Sequence, residues 1–111
     1  MTPGELCAEA LKRFVQGKFN EAIALYAEAH AAEPGLVDAL RGLAMASGQA
    51  GLTEEAVGWA GNLVAAAPDD AMAWATLSML LQRQGRIKEA EDAQAKARIL
   101  SWKKQLQKPP P

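Results

Sequence analysis

Few side chains in this sequence could take part in covalent or acid–base chemistry, and none is placed beside a partner for it. Cys7 is the single cysteine and His30 the single histidine. A cysteine nucleophile needs a supporting base, and no histidine lies near Cys7 in the sequence. Asp69 and Asp70 follow a proline, where carboxylates favour the start of a helix. Since no metal-ligand spacing or phosphate-binding loop occurs either, we expect no enzymatic activity, no metal and no cofactor.

The overall composition favours helices and a protein partner. Half of the 111 residues are hydrophobic but only 5% are aromatic, and much of the hydrophobic fraction is alanine, the best helix former. The formal net charge of −1 lacks the basic excess typical of nucleic-acid-binding domains. No signal peptide and no membrane span is apparent, and a lone cysteine fits a reducing compartment. We therefore predict a cytoplasmic protein that binds another protein or a peptide, and no nucleic acid.

A 34-residue period runs through the chain and must position any binding residues. Six columns keep this period: Gly17, Gly51 and Gly85; Ala22, Ala56 and Ala90; Glu21, Glu55 and Glu89; Ala10, Ala44 and Ser78; Leu6, Leu40 and Trp74; and the pair Pro34 and Pro68. In each unit the glycine separates two runs of helical periodicity, since glycine permits the positive φ that ends a helix. The pattern predicts helices near residues 3–16, 19–32, 37–50, 53–66, 71–84 and 87–107.

These helices group into one predicted domain over residues 1–108. Its three units span about residues 3–36, 37–70 and 71–104, and the last helix extends beyond the third unit. The prolines at 109–111 are predicted to form a flexible tail.

The columns resemble the tetratricopeptide repeat family, whose unit carries a large apolar residue, a small one, a turn glycine, an alanine, an aromatic and a closing proline. In the first unit those positions hold Leu6, Ala10, Gly17, Ala22, Tyr26 and Pro34. The resemblance implies an all-α fold, a right-handed superhelical array of three helix-turn-helix repeats. The third unit departs from the pattern, with Gln94 for the aromatic and Trp102 for the proline, which predicts a terminal capping unit.

In this family the first helix of each unit lines a concave surface, and that implies where a partner binds. Methionine is common on surfaces that accept varied partners, and Met45 and Met79 fall in one column with Leu11. We predict an apolar peptide-binding groove, with arginines at its edges, formed by Leu11, Phe14, Arg41, Met45, Met72, Met79 and Arg83. The alternative is that these side chains only pack between neighbouring first helices.

Some members of the family hold the C-terminal carboxylate of heat-shock chaperones in a clamp of lysine, asparagine and arginine. The corresponding positions here are Cys7, Leu11, Gly42, Met72 and Thr76. Because none of these side chains can pair with a carboxylate, we expect that this chain does not bind in that way.

A second apolar surface is predicted near the C-terminus. Ile99, Trp102 and Leu106 recur at helical spacing, accompanied by the cations Arg98, Lys103, Lys104 and Lys108. We favour a capping helix whose apolar side covers the third unit. The other interpretation is a surface for a partner, a second copy or an anionic membrane. The leading hypothesis is thus an adaptor or chaperone-like module that binds an apolar peptide or helix in its groove. The alternative is a homo-oligomeric scaffold that self-associates through Ile99, Trp102 and Leu106.

Overall fold

The computed structural model describes residues 1–107, which form six α-helices joined by short turns. The helices are α1 (Pro3–Val15), α2 (Phe19–Ala32), α3 (Val37–Gln49), α4 (Thr53–Ala66), α5 (Ala71–Arg83) and α6 (Ile87–Leu106). Their bounds agree with the sequence prediction to within one residue at every end. Lys108 and the tail predicted at 109–111 lie outside the described residues. None of the six helices is both long and apolar enough to cross a membrane.

Local interactions set the helix ends. The Thr2 hydroxyl accepts a hydrogen bond from the Glu5 amide at 3.1 Å, and the Glu5 carboxylate accepts one from the Thr2 amide at 2.8 Å. This reciprocal capping box satisfies amides that the first turn of α1 leaves unpaired. Gly17 ends the same helix with a φ of 78°, and Gly51 and Gly85 repeat this geometry. The turn glycines are therefore required by backbone conformation, because a Cβ disfavours positive φ.

Small residues allow the two helices of each unit to pack closely. One pair of small residues joins the two helices in each unit, and all but one of these six residues are alanines with no exposed surface. In the third unit the small residue is Ser78, whose buried hydroxyl donates a 2.7 Å hydrogen bond to the Ala90 carbonyl oxygen. The three contacts join Ala10 to Ala22, Ala44 to Ala56, and Ser78 to Ala90.

Consecutive units stack because the first helix of each unit lies in the angle between the two helices of the unit before it. Thus α3 contacts both α1 and α2, and α5 contacts both α3 and α4. Between the first two units, the ring of Tyr26 lies directly over Gly42 and is only 5% exposed. Stacking of this kind places α1, α3 and α5 side by side, and they form one surface of the array.

Candidate peptide-binding groove

A groove of about 470 Å³ lies between α1 and α3 on the surface that the first helices form. Leu11 and Phe14 of α1 contribute one wall, and Arg41 and Met45 of α3 contribute the other. Leu11 is 55% exposed, although it is a large apolar residue. The helices thus bring four predicted site residues together around a common space, and that space is mainly apolar.

The floor of the groove is fixed by the contact between the first two units. The ring of Tyr26 and the backbone of Gly42 both reach this floor, and a Cβ at Gly42 would lie 2.3 Å from the ring. Burial is the main cause that raises the pKa of the Tyr26 hydroxyl. A rigid aromatic ring therefore closes the bottom of the groove.

Arg41 lies at the edge of the groove, but its guanidinium already pairs with carboxylates. Its guanidinium donates a hydrogen bond to Asp70 Oδ2, and it lies 3.9 Å from Asp38 Oδ1. The other oxygen of Asp70 caps α5 by accepting from the Met72 amide at 3.0 Å. Arg41 therefore ties α3 to the start of α5, and its interaction with a ligand would compete with these two carboxylates.

The other three predicted site residues lie outside this groove. Met79 packs against the buried cluster of the second and third units, and its sulfur lies 4.0 Å from a guanidinium nitrogen of the exposed Arg83. Met72 is 66% exposed and lines a separate cleft beside α6. Hence the structure gathers Leu11, Phe14, Arg41 and Met45, whereas Met72, Met79 and Arg83 are elsewhere.

Tyr26, Gly42 and Asp38 also line the groove, although the sequence pattern does not predict them there. Tyr26 belongs to the repeat pattern, and its ring also forms part of the groove. The glycine in the middle of α3, in the unit that follows the one containing Tyr26, is a usable signal. It indicates that a bulky side chain lies close to the helix backbone at that position.

The apolar residues at the end of α6 do not cover the third unit, contrary to the interpretation that we favoured from the sequence. Ile99 is 48% exposed, Trp102 is 64% exposed and Leu106 is 69% exposed. For Trp102 and Leu106 the reason is geometric, since α6 continues beyond the residues equivalent to the ends of α2 and α4. Ile99 lies one unit after Ala65 and two units after Ala31, which are exposed as well. These side chains are therefore available at the surface.

The residues considered for catalysis take part in packing and capping. His30 lies edge-on to Trp59, with 5.3 Å between the ring centroids. Cys7 packs against two buried clusters, and burial is the main cause that raises the pKa of its thiol, followed by the charges of Asp38 and Glu33. A raised pKa disfavours the thiolate that a nucleophile requires. Within residues 1–107, no group of three or more histidine, cysteine or acidic side chains could hold a metal ion.

Comparison with solved structures gives close matches in fold at low sequence identity. The second TPR of Spaghetti (RPAP3), bound to the HSP90 peptide SRMEEVD, superposes with a TM-score of 0.85 at 20% identity, over 90% of this chain and 93% of that chain. The Sgt2 TPR domain from Aspergillus fumigatus gives 0.86 at 23% identity, over 89% and 66%. The Yersinia enterocolitica type III secretion translocator chaperone SycD, in an alternative dimer, gives 0.84 at 16% identity, over 88% and 74%. At these identities the likeness concerns the fold alone.

Sequence comparison identifies the family directly. No curated protein sequence matches this chain. The family model described as "Tetratricopeptide repeat" matches residues 14–80, which is more than half of the chain. That match agrees with the 34-residue columns and with the six stacked helices. The chain therefore belongs to the tetratricopeptide repeat family.

Proposed function

We propose that this chain is a protein-interaction module, an adaptor or chaperone-like protein without enzymatic activity, that binds an apolar peptide or helix in the groove between α1 and α3. The observation that carries the proposal is the groove itself, in which the exposed Leu11 faces a mainly apolar space. Large apolar side chains at the surface of a concavity are typical of binding sites. A relative of the same fold is bound to a peptide, which supports this general role.

The charges around the groove favour an apolar ligand over an acidic one. Among the residues that line it, Arg41 is the single cation, and Asp70 and Asp38 already accompany it. Cys7, Leu11 and Gly42 occupy positions where a carboxylate clamp would need polar or cationic side chains. A peptide that ends in acidic residues would gain little here, so we propose that binding depends on apolar side chains.

The size of the groove limits the expected affinity. Burying three large apolar side chains contributes roughly 1.5–3 kcal/mol each, before the costs of association and ordering are subtracted. A micromolar complex requires about 8 kcal/mol of net binding free energy. We therefore expect an isolated peptide to bind in the micromolar range or more weakly.

The test is a peptide-display selection against the wild-type chain, repeated with Met45→Glu and with Leu11→Glu. Leu11 is exposed, so its substitution changes the groove with little effect on the core. We expect an apolar motif to be enriched by the wild type and lost with both variants. Met72→Glu is the matched control, because Met72 lies outside the groove, and it should retain the motif.

Circular dichroism must show that the variants keep the helical spectrum of the wild type. If the enriched peptides bind Met45→Glu and Leu11→Glu as well as they bind the wild type, the groove is not the site. A folded wild-type chain that enriches no motif would also contradict the proposal.

Self-association is the alternative function, and the exposed apolar residues of α6 are the observation in its favour. The charge around them opposes it, because Arg98, Lys103 and Lys104 would approach their own copies in a second chain. Light scattering over a concentration series separates the two functions, since the scaffold requires a mass that rises with concentration.

A further inference from the structure

The third unit has a cleft between α5 and α6 that corresponds to the place where a following helix packs on each of the first two units. Ala29 and Leu63 lie 34 residues apart, and both are fully buried. Ala29 clusters with Ala39 of α3, and Leu63 clusters with Ala73 of α5. The next residue in this column is Ala97 of α6. It lines a cleft of about 300 Å³ that no helix among the described residues fills.

Apolar side chains line two sides of this cleft, beside the polar Gln94, Ser101 and Gln105. Met72 and Ala75 of α5 lie on one side, and Ala97 and Trp102 of α6 lie on the other. Met72 and Trp102 are each about two-thirds exposed, at 66% and 64%. We call these four residues, together with the cations Arg98, Lys103 and Lys104, the end face. A helix placed here would remove the large apolar side chains from water, which is the main source of affinity in such contacts.

The charged residues of the end face are all cations. Residues 93–107 contain four cations and no acidic residue, although the whole chain has a net charge of −1. Arg98 lines the cleft directly, and Lys103 and Lys104 line an adjoining one. None of these three cations forms a salt bridge among the described residues. Asp69 and Asp70 face Lys103 and Lys104 across the adjoining cleft, but Asp70 already pairs with Arg41.

A second copy of the chain fits this charge pattern poorly. If two α6 helices pair antiparallel so that Ile99 meets Leu106 of the other copy, the basic segments also meet. A shifted register could place Lys103 and Lys104 near the acidic first half of the other α6. The same shift moves Trp102 away from the apolar residues of the other copy. Neither of these two registers therefore satisfies both the apolar and the charged side chains of α6.

We propose that the end face binds an amphipathic helix of another protein, one with acidic side chains beside its apolar stripe. Its apolar side packs on Met72, Ala97 and Trp102, in the position of the first helix of a following repeat. Its carboxylates lie near Arg98, Lys103 and Lys104, so that charge selects the partner and speeds association. The proposal concerns a surface separate from the groove between α1 and α3 and does not depend on the function proposed for that groove.

The probe for the test is a stapled helical peptide that copies the apolar side of α3, where Ala39, Leu43 and Ala46 pack on the first unit. Its outward positions carry glutamate, and a twin peptide carries lysine at the same positions. Fluorescence anisotropy of the labelled peptides measures their affinities for the full chain. We expect the acidic peptide to bind at least about tenfold more tightly than its twin, and more weakly as salt screens the charges.

Two kinds of variant test the residues of the end face. Met72→Glu and Trp102→Ala should each weaken the acidic peptide by about tenfold or more, since central apolar anchors dominate helix docking. The double variant Lys103→Glu, Lys104→Glu should weaken it by a similar factor. Its matched control reverses two exposed lysines away from the end face, Lys18→Glu and Lys88→Glu, and should change the affinity by less than about twofold. Met45→Glu should leave the affinity unchanged.

Five outcomes would overturn the proposal. The acidic peptide could fail to bind the folded chain up to about 1 mM. The lysine twin could bind equally well, or binding could survive both Met72→Glu and Trp102→Ala. The wild type could form a dimer that Trp102→Ala dissociates, in which case a second copy occupies the end face. Vesicles of phosphatidylserine could bind the chain through Trp102 while the acidic peptide does not, which would assign the face to a membrane.

Discussion

Replacing Gly42 with alanine should destabilise the array, although alanine is a better helix former than glycine. Gly42 lies inside α3, and an added Cβ would be 2.3 Å from two ring carbons of Tyr26. Those atoms belong to a rigid ring that is 5% exposed, in the contact between the first two units. A ring has no flexible end that could bend away from the new methyl group. Either helix α3 or the whole Tyr26 side chain must therefore shift.

Two opposing contributions set the magnitude. Alanine in place of glycine stabilises a helix interior by about 1 kcal/mol. Overpacking in a buried contact costs roughly 1–3 kcal/mol, and an overlap with a rigid ring lies at the upper end of that range. We therefore expect a net loss of about 1–2 kcal/mol. That loss corresponds to a decrease in melting temperature of several degrees for a domain of this size.

The assay is thermal and urea unfolding followed by circular dichroism, with two matched controls on α4. Gly58 and Gly61 also lie inside a helix, but a Cβ at either position would meet nothing within 4 Å. Gly58→Ala and Gly61→Ala should therefore raise stability by roughly 0.5–1 kcal/mol. If Gly42→Ala is as stable as these controls, the argument from the Tyr26 contact is refuted. A double-mutant cycle with Tyr26→Ala should show that the cost of Gly42→Ala depends on the ring.

Further predictions concern the third unit and the first turn. Ser78→Ala removes the hydrogen bond to the Ala90 carbonyl. The urea midpoint should therefore fall by an amount equivalent to about 0.5–1.5 kcal/mol. Ser101 is exposed, so Ser101→Ala is the control and should have no effect. Hydrogen bonds from the Thr2 backbone and hydroxyl group hold the pKa of Glu5 below its ordinary value. Glu5 therefore stabilises the fold above its unfolded pKa, and this contribution is lost as the pH falls through the folded pKa. An NMR titration should detect the lowered pKa. Thr2→Ala should raise it in part, because the hydroxyl is lost while the backbone amide of residue 2 remains; an unchanged pKa in that variant would contradict a contribution from the hydroxyl.

The sequence alone determined the helices and their grouping, because the signals for them are local and repeated. Thr2 and Glu5 lie within one turn of each other, so their capping box could be predicted without knowing the fold. The turn glycines act through their own backbone dihedral angles, and the 34-residue period then assembles helix pairs into units. Neither signal needs information from a distant part of the chain.

The candidate groove was only partly predictable from the sequence. A column of residues with one period indicates which helix face they share, and Leu11 and Met45 do lie around one groove. The same reasoning included Met79, but this side chain packs against the buried cluster of the second and third units. A period places residues on equivalent faces, and it does not determine how far each side chain is covered by its neighbours.

Only the tertiary structure decided which charged side chains form ion pairs and which apolar side chains remain exposed. Arg41 and Asp70 are 29 residues apart and meet because α5 stacks beside α3. Trp102 was expected to cover the third unit, yet it is largely exposed because α6 extends past the residues that could cover it. Each outcome depends on contacts between units, and such contacts follow from the geometry of stacking and have no local signature in the sequence.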